Sequence, residues 1–445
     1  MSATPGGFDF EQLRKMLQQM GLDPAAMGMD LEQLMEQVQQ MQKQGGLMFG
    51  MTPADQDPDA AWRTTITAAV HLAQQQGPDT VLQASERSAV VDAERLVQSW
   101  LSDFTAFSGP SLPVHAMVRD EWLELTGDGW RAIVDPIIEG LADALERGAD
   151  MGGPEEFADF TSMLAPMMRT SASMLYRDRL KRVLADVAID TLTGTEVGIG
   201  VLPRHQVALL TSNVASFTED LDLPETDVLL YILLREAARQ RLFANVGWLT
   251  PQVNALLAHF AREIRIDLES IAGELDPSSM QGHSLEEMMA VGERLRGSFF
   301  KPASTETQLE ILGRLQTTLA LVEGWVDHVT SRVTSRWMPN GSQLVEVIRR
   351  RRASNGPTQR VLADLIGLEL SPRLVRDAEN LWAAVEHERG PEGRDAVWRH
   401  PDLMPSREDL DDPLAFTRDE EEQQPEEDEM DRELRKLLEA EGGNP

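Results

Sequence analysis

Two stretches of the chain carry charged residues four positions apart, a spacing that places side chains on one face of a helix. The first contains Arg235, Glu236 and Arg239, and the second contains Glu323 and Asp327. Carboxylates can take up a proton or a metal ion, whereas arginine stays protonated and has no lone pair for a metal. The Glu-x-x-x-Asp spacing is common, so it gains meaning only beside Glu236.

The histidines offer no local metal site. No two of them lie three or four positions apart, and a site would have to combine distant residues, for example His328 with Glu323 and Glu236. The alternative is that they are isolated structural or surface residues. The chain has no cysteine, which excludes disulfides, thiolate ligands and a cysteine nucleophile.

Other motifs give weak signals. The glycines at 194, 198 and 200 match neither a dinucleotide-binding pattern nor a P-loop, so we interpret them as a tight turn. No serine lies in a Gly-x-Ser-x-Gly context. The basic run 349–352 could contact nucleic acid, but a helix C-terminus or a contact with acidic residues of the tail explains it better.

Charge and composition exclude several function classes. The 445 residues carry a formal net charge of −33, which disfavours binding to DNA, RNA or an anionic membrane. No apolar run reaches the roughly 18 residues that span a bilayer. The first residues do not resemble a secretory signal. We therefore expect a cytoplasmic protein without a membrane span.

The hydrophobic pattern is helical almost throughout. Residues 224–275 have the clearest helical pattern, with Thr250 expected to cap a helix, and further helices are expected at 306–336, 341–353, 357–367 and 372–389. Almost no segment alternates with period two, so we predict a mainly α fold with at most a small sheet around 193–203.

Four segments are expected along the chain. Residues 1–44 form an amphipathic helical arm, 45–61 a linker, 62–416 the main helical domain, and 417–445 an acidic, disordered tail with one possible short helix. Disorder is expected to begin near 406. The arm or the tail is the expected contact for an unknown protein partner. A helical arm packed on its own domain is the alternative for the first segment.

Five separated blocks resemble one family, the zincin-like metallopeptidases of actinobacteria, whose members are named as hydrolases. The blocks are LTGTEVGIGVLP (192–203), LPETDVLLYILLREAARQRLFANVGWL (223–249), AREIRIDLESI (261–271), LALVEGWVDHV (319–329) and EGRDAVWRHPDLMPSREDLDDPLAF (392–416). The likeness runs from about Trp62 to Phe416. It implies a multi-helix, gluzincin-related body with little or no sheet.

The resemblance also implies a zinc site with a specific donor pattern. In His-Glu-x-x-His, two histidines bind zinc and the glutamate activates the bound water. The matching residues here are Arg235, Glu236 and Arg239, so only the candidate catalytic glutamate is kept. Glu323 matches the third zinc ligand. Asp327 matches the residue that orients a ligand histidine.

Two hypotheses follow from this substitution. In the first, the two guanidinium groups take the place of the doubly charged ion and pair with Glu323 and Asp327, with His328 beside this charge cluster. The protein is then an inactive binding or regulatory scaffold with no cofactor. In the second, it is an active hydrolase with Glu236 as general base and zinc in a non-standard site. An exposed, unpaired position of both arginines is the alternative to the cluster.

Overall fold

The computed structural model describes residues 57–77, 79, 81–151, 158–219, 221–265, 305–354 and 356–422. The chain divides into one unit up to Thr64 and a second from Thr65 onward. The expected arm at 1–44 lies outside the described residues, as does most of the expected linker and the tail beyond 422. The first described helix begins at Pro58, inside the segment expected to be a linker.

Helices make up most of the described chain, which confirms the predicted mainly α fold. They are α1 (Pro58–Gln76), α2 (Ala84–Leu101), α3 (Arg119–Met151), α4 (Ala158–Asp190), α5 (Thr211–Glu219), α6 (Glu225–Asn245), α7 (Leu249–Arg262), α8 (Glu306–Trp337), α9 (Gly341–Ala353), α10 (Pro357–Ile366), α11 (Pro372–Ala396), α12 (Arg407–Asp411) and α13 (Pro413–Glu422). Two short 3₁₀ turns, Val397–Arg399 and Pro401–Leu403, follow α11.

The small sheet lies elsewhere than predicted. Within the described residues it has two parallel strands, β1 (His115–Met117) and β2 (Ala208–Leu210), with His115 paired to Ala208. The segment 193–203 contributes only one isolated bridge, from Thr193 to Leu209. The rest of that segment forms turns, with Gly198 at φ +78°, a backbone conformation that glycine adopts without steric cost.

The helix ends show where local signals fail. Helix α7 begins at Leu249 after Trp248, so the predicted cap at Thr250 is wrong. The helix predicted to end at 389 does break there: Gly390 leaves the helical conformation with φ 71°, and a second helical segment then continues α11 to Ala396. The expected disorder from 406 is also wrong as far as Glu422, because this segment forms α12 and α13, and a capping box at Ser406 starts α12.

Helices α6 and α8 form the centre of the second unit. Helix α8 packs against α6, α7 and α11, and α6 packs against α2 as well. Most of α6 is buried, including Arg235, Glu236 and Arg239 in its middle. Gly324 lets α11 approach α8 closely, since a Cβ there would lie 2.6 Å from the Cβ of Ala378. This close packing holds the charged faces of α6 and α8 together.

Candidate functional site

Helices α6 and α8 face each other through a buried cluster of opposite charges. Arg235 on α6 donates from Nη1 to Asp327 Oδ1 at 2.5 Å and from Nη2 to Glu323 Oε2 at 3.1 Å, both on α8. Its side chain is only 7% exposed. The charge of Asp327 raises the pKa of Arg235 against the opposing effect of burial, so this guanidinium stays charged.

Arg239 lies one helical turn further along α6 and joins two carboxylates. Its Nε donates to Glu323 Oε1 at 3.0 Å and its Nη2 to Glu323 Oε2 at 3.2 Å, which is a two-pronged pair. Its Nη1 donates to Glu236 Oε2 at 3.3 Å. The guanidinium of Arg239 thus lies between Glu236 and Glu323, the two candidate reactive carboxylates.

Glu236 is completely buried, with 0% exposure. Thr195 Oγ1 donates to both of its oxygens, at 3.0 and 2.9 Å, and Gln240 Nε2 donates to Oε1 at 3.0 Å. Burial raises the pKa of Glu236, and the charge of Arg239 acts in the opposite direction. Gln240 lies four residues after Glu236 on the same helix face, so spacing could have identified this partner. No local sequence signal points to Thr195.

A third arginine, missed by sequence reasoning, completes the cluster. Arg352, at the end of α9, pairs through Nη2 with Asp327 Oδ2, and its Nη1 lies 3.7 Å from Glu323 Oε2. Burial alone would raise the pKa of Asp327, but the charges of Arg352 and Arg235 lower it to about 2. Asp327 is therefore ionised at neutral pH, with a guanidinium on each oxygen.

The rest of the basic run on α9 binds carboxylates of the fold. Arg349 pairs with Glu379, Arg350 with Glu346, and Arg351 with Glu196. Arg350, Arg351 and Arg352 stand in the last turn of α9, as expected of cations at a helix C-terminus. Arg349, Arg351 and Arg352 contact acids on other parts of the chain, whereas Arg350 pairs with Glu346 of α9 itself.

His328 lies outside the cluster that contains Asp327. Its Nε2 is 2.6 Å from Glu386 Oε2 on α11, and Arg394 and Arg332 contact the same carboxylate. Adjacent residues differ in direction by about 100° around an α-helix, so His328 faces α11 whereas Asp327 faces α6. The structure therefore does not group His328 with Glu323 and Glu236, the combination that a replacement metal site would need. In the described chain no three His, Asp or Glu residues are placed to hold a metal ion.

A cavity of about 370 Å³ lies next to the cluster. Arg235, Arg239, Glu323 and Asp327 form part of its wall. Glu236 does not line it, because Arg239 and the turn at Thr195 cover its carboxylate. A small molecule in the cavity would thus meet guanidinium groups and not the candidate general base.

The comparisons agree with this arrangement of helices. A family model described as zincin-like metallopeptidase matches residues 61–417. The crystal structure of "a putative hydrolase with a novel fold" from Chloroflexus aurantiacus is similar, with a TM-score of 0.56, 19% sequence identity, and coverage of 81% of this chain and 98% of that chain. At this identity the likeness shows the fold alone. No curated protein matches the chain.

Proposed function

Since this chain belongs to the zincin-like metallopeptidase family, we propose that it keeps the helical frame of the family without zinc chemistry and serves as a binding or regulatory scaffold. The observation that carries this proposal is the position of Arg239 between Glu236 and Glu323. In a zincin site, the residue at Glu323 would bind the metal ion and the residue at Glu236 would activate the metal-bound water, so Arg239 takes up the space that both would need.

The side chains at this point do not fit a zinc ion. Zinc needs imidazole nitrogens, thiolates or free carboxylate oxygens, and Arg235 and Arg239 have no lone pair to donate. Both oxygens of Glu323 already accept hydrogen bonds from guanidinium groups. Positive charge from three arginines therefore takes the electrostatic role that an ion would have toward Glu323 and Asp327.

One observation favours the alternative, an active hydrolase with Glu236 as general base. Burial raises the pKa of Glu236, as is common for catalytic bases. Yet the carboxylate is fully buried and does not line the cavity, and a base must come within hydrogen-bond reach of the proton that it removes. Raised pKa values also occur in structural charge networks.

Hydrolysis of labelled casein and of mixed peptides, with and without added Zn²⁺, separates the two proposals. We expect the wild-type chain and the Glu236→Gln variant to be equally inactive. If the wild type hydrolyses a substrate and Glu236→Gln does not, the protein is a hydrolase and the scaffold proposal is wrong. Glutamine keeps the size of the side chain and an oxygen that accepts from Thr195, and Arg239 keeps its two-pronged pair with Glu323, so the variant should fold.

The scaffold proposal includes a partner, a location and an origin. A protein partner is expected at residues 1–44 or 417–445, a cytoplasmic location agrees with the absence of cysteine, and the sequence blocks indicate an actinobacterial source. No helix in the described ranges is long and apolar enough to cross a membrane.

Cross-linking in cells that produce the protein tests for a partner, by comparing the full chain with chains that lack residues 1–44 or residues 417–445. Identical cross-links from all three chains would exclude both segments.

A further inference from the structure

The cavity next to the charge cluster has the size of a small-molecule site. Its volume of about 370 Å³ lies within the range of ligand pockets. Its wall combines the turn at 192–196 with parts of α6, α8, α9, α10 and α11. The side chains on this wall differ in charge from the rest of the protein.

Arginine dominates the lining of this cavity. The charged lining residues are seven arginines (Arg235, Arg239, Arg349, Arg350, Arg351, Arg352, Arg376) and four acids (Glu196, Glu323, Asp327, Glu346). Two acids outside the lining, Glu236 and Glu379, also contact these arginines, which leaves one guanidinium in excess among the residues that the structure describes. The cavity is therefore a basic site in a chain whose net charge is −33.

The excess charge lies on the side of α11 and the exposed part of α9. Arg376 is exposed and makes no ion pair with any residue that the structure describes. Arg349 is 39% exposed at its side chain and contacts Glu379 through Nη2. By contrast, Arg235 and Arg239 are almost fully buried and occupied by carboxylates. An incoming anion would therefore bind at Arg376 and Arg349.

Helix α10 adds positive potential to the same wall. Its cap residue Gly356 and its first turn, Pro357 to Gln359, line the cavity, and no side chain caps this end. The first N–H groups of a helix lack partners within the helix and favour anions. This helix end supports the arginine site.

Most of the remaining wall is apolar. Ile232, Ile348, Leu370 and Val375 line the cavity beside the arginines. A bare inorganic anion would leave this surface without a partner, whereas a molecule with an apolar part would cover it. The lining thus fits a ligand with two chemically different ends.

We propose that this cavity binds a small organic anion, with a phosphate or carboxylate head at Arg376 and Arg349 and an apolar part against Leu370 and Val375. Guanidinium groups match either head through paired hydrogen bonds. The inference rests on the proposed function, since it names the ligand class of a scaffold that no longer uses a metal. Binding of the anion would be the event that the scaffold senses.

Isothermal titration with phenyl phosphate, benzoate and neutral benzyl alcohol tests this proposal on the full chain after chelator treatment. At least one of the two anions should bind, and the stronger one identifies the head group. Benzyl alcohol should bind at least about tenfold more weakly than that anion, because it lacks the charge-assisted hydrogen bonds. Equal binding of the alcohol, or no binding of either anion, would overturn the proposal.

Arg376→Gln is the decisive variant, because its side chain has no ion pair to lose within the described residues. It should weaken anion binding by about tenfold, the effect of losing one charged hydrogen-bond donor. Arg373→Gln is the matched control: it lies on the same helix, pairs with Asp377 and does not line the cavity. An equal loss of anion affinity in both variants would mean that only the net charge of the protein matters, and it would refute the site.

The metal content of the same samples separates the two proposals. Zinc in the untreated protein would contradict the proposed function whatever the anions do. Anion binding only by the zinc-containing sample would overturn both the function and the arginine site. A zinc-free protein that binds neither anion would overturn the site alone.

Discussion

Replacing Arg239 by alanine removes a guanidinium that contacts two buried carboxylates. Glu323 is 3% exposed and Glu236 is 0% exposed, so neither can recover its lost partner from bulk water. Glu323 would keep Arg235 at 3.1 Å, and Glu236 would keep only neutral donors, from Thr195 and Gln240. Breaking a buried pair in this way costs about 3–5 kcal/mol of unfolding free energy.

The matched control for this change is Arg350→Ala. Arg350 also pairs with a glutamate, Glu346, but its side chain is 78% exposed and the pair lies within one helix. Such exposed pairs contribute about 0.3–0.5 kcal/mol. The two variants remove the same side chain and the same charge, so the difference between them isolates the effect of burial.

Urea unfolding at pH 7, followed by circular dichroism, measures both variants. We expect the midpoint of Arg239→Ala to fall far below that of Arg350→Ala, at unchanged slope. Adding Glu323→Gln to Arg239→Met should cost less than the sum of the two single changes, because Glu323 and Arg239 are then both neutral and only Glu236 still lacks a charged partner. If Arg239→Ala and Arg350→Ala lie within about 1 kcal/mol of each other, the buried-pair reasoning is refuted.

Three further predictions follow from the same contacts. The double variant Arg235→His, Arg239→His recreates the zincin donor pattern beside Glu323, so it should bind about one zinc per chain in dialysis; failure to bind would mean that the helices no longer hold the donor geometry. Arg352 and Arg235 lower the pKa of Asp327 to about 2, so the stabilising effect of its charge is complete above about pH 4 and is lost as the pH falls toward 2. In Asp327→Asn, the urea midpoint should therefore change less with pH between about 4 and about 2 than in the wild type. An equal change of the midpoint with pH in both proteins would contradict the lowered pKa. Gly324→Ala places a Cβ 2.6 Å from that of Ala378 and should cost about 1–3 kcal/mol, so a neutral effect in thermal unfolding would contradict the close approach of α8 and α11.

The sequence predicted best what depends on local periodicity. The long helix expected at 306–336 is observed as Glu306–Trp337, and the one at 341–353 has the same bounds. Helix caps were harder, because Thr250 offers a capping side chain but α7 begins two residues earlier than predicted, at Leu249 after Trp248. The strands could not be predicted, since three residues are too few for an alternating pattern.

The site shows the same division between local and long-range information. The spacing of Arg235, Arg239, Glu323 and Asp327 places each pair on one helix face, and the structure brings these faces into contact. The sequence could not show that Arg352 joins them from α9, because its position depends on packing between distant segments. The prediction that His328 lies beside the charge cluster was wrong. It took adjacency in sequence as adjacency in space, whereas the rotation of the helix turns His328 toward Glu386.

The metal content of the native protein tests the central claim most directly. The measurement is plasma mass spectrometry on the chain purified without chelator and without a metal-affinity step. We predict far less than one zinc per chain, because Arg235 and Arg239 stand where ligand histidines would be needed. About one zinc per chain would contradict this account and would show that the carboxylates release their arginines to bind the ion.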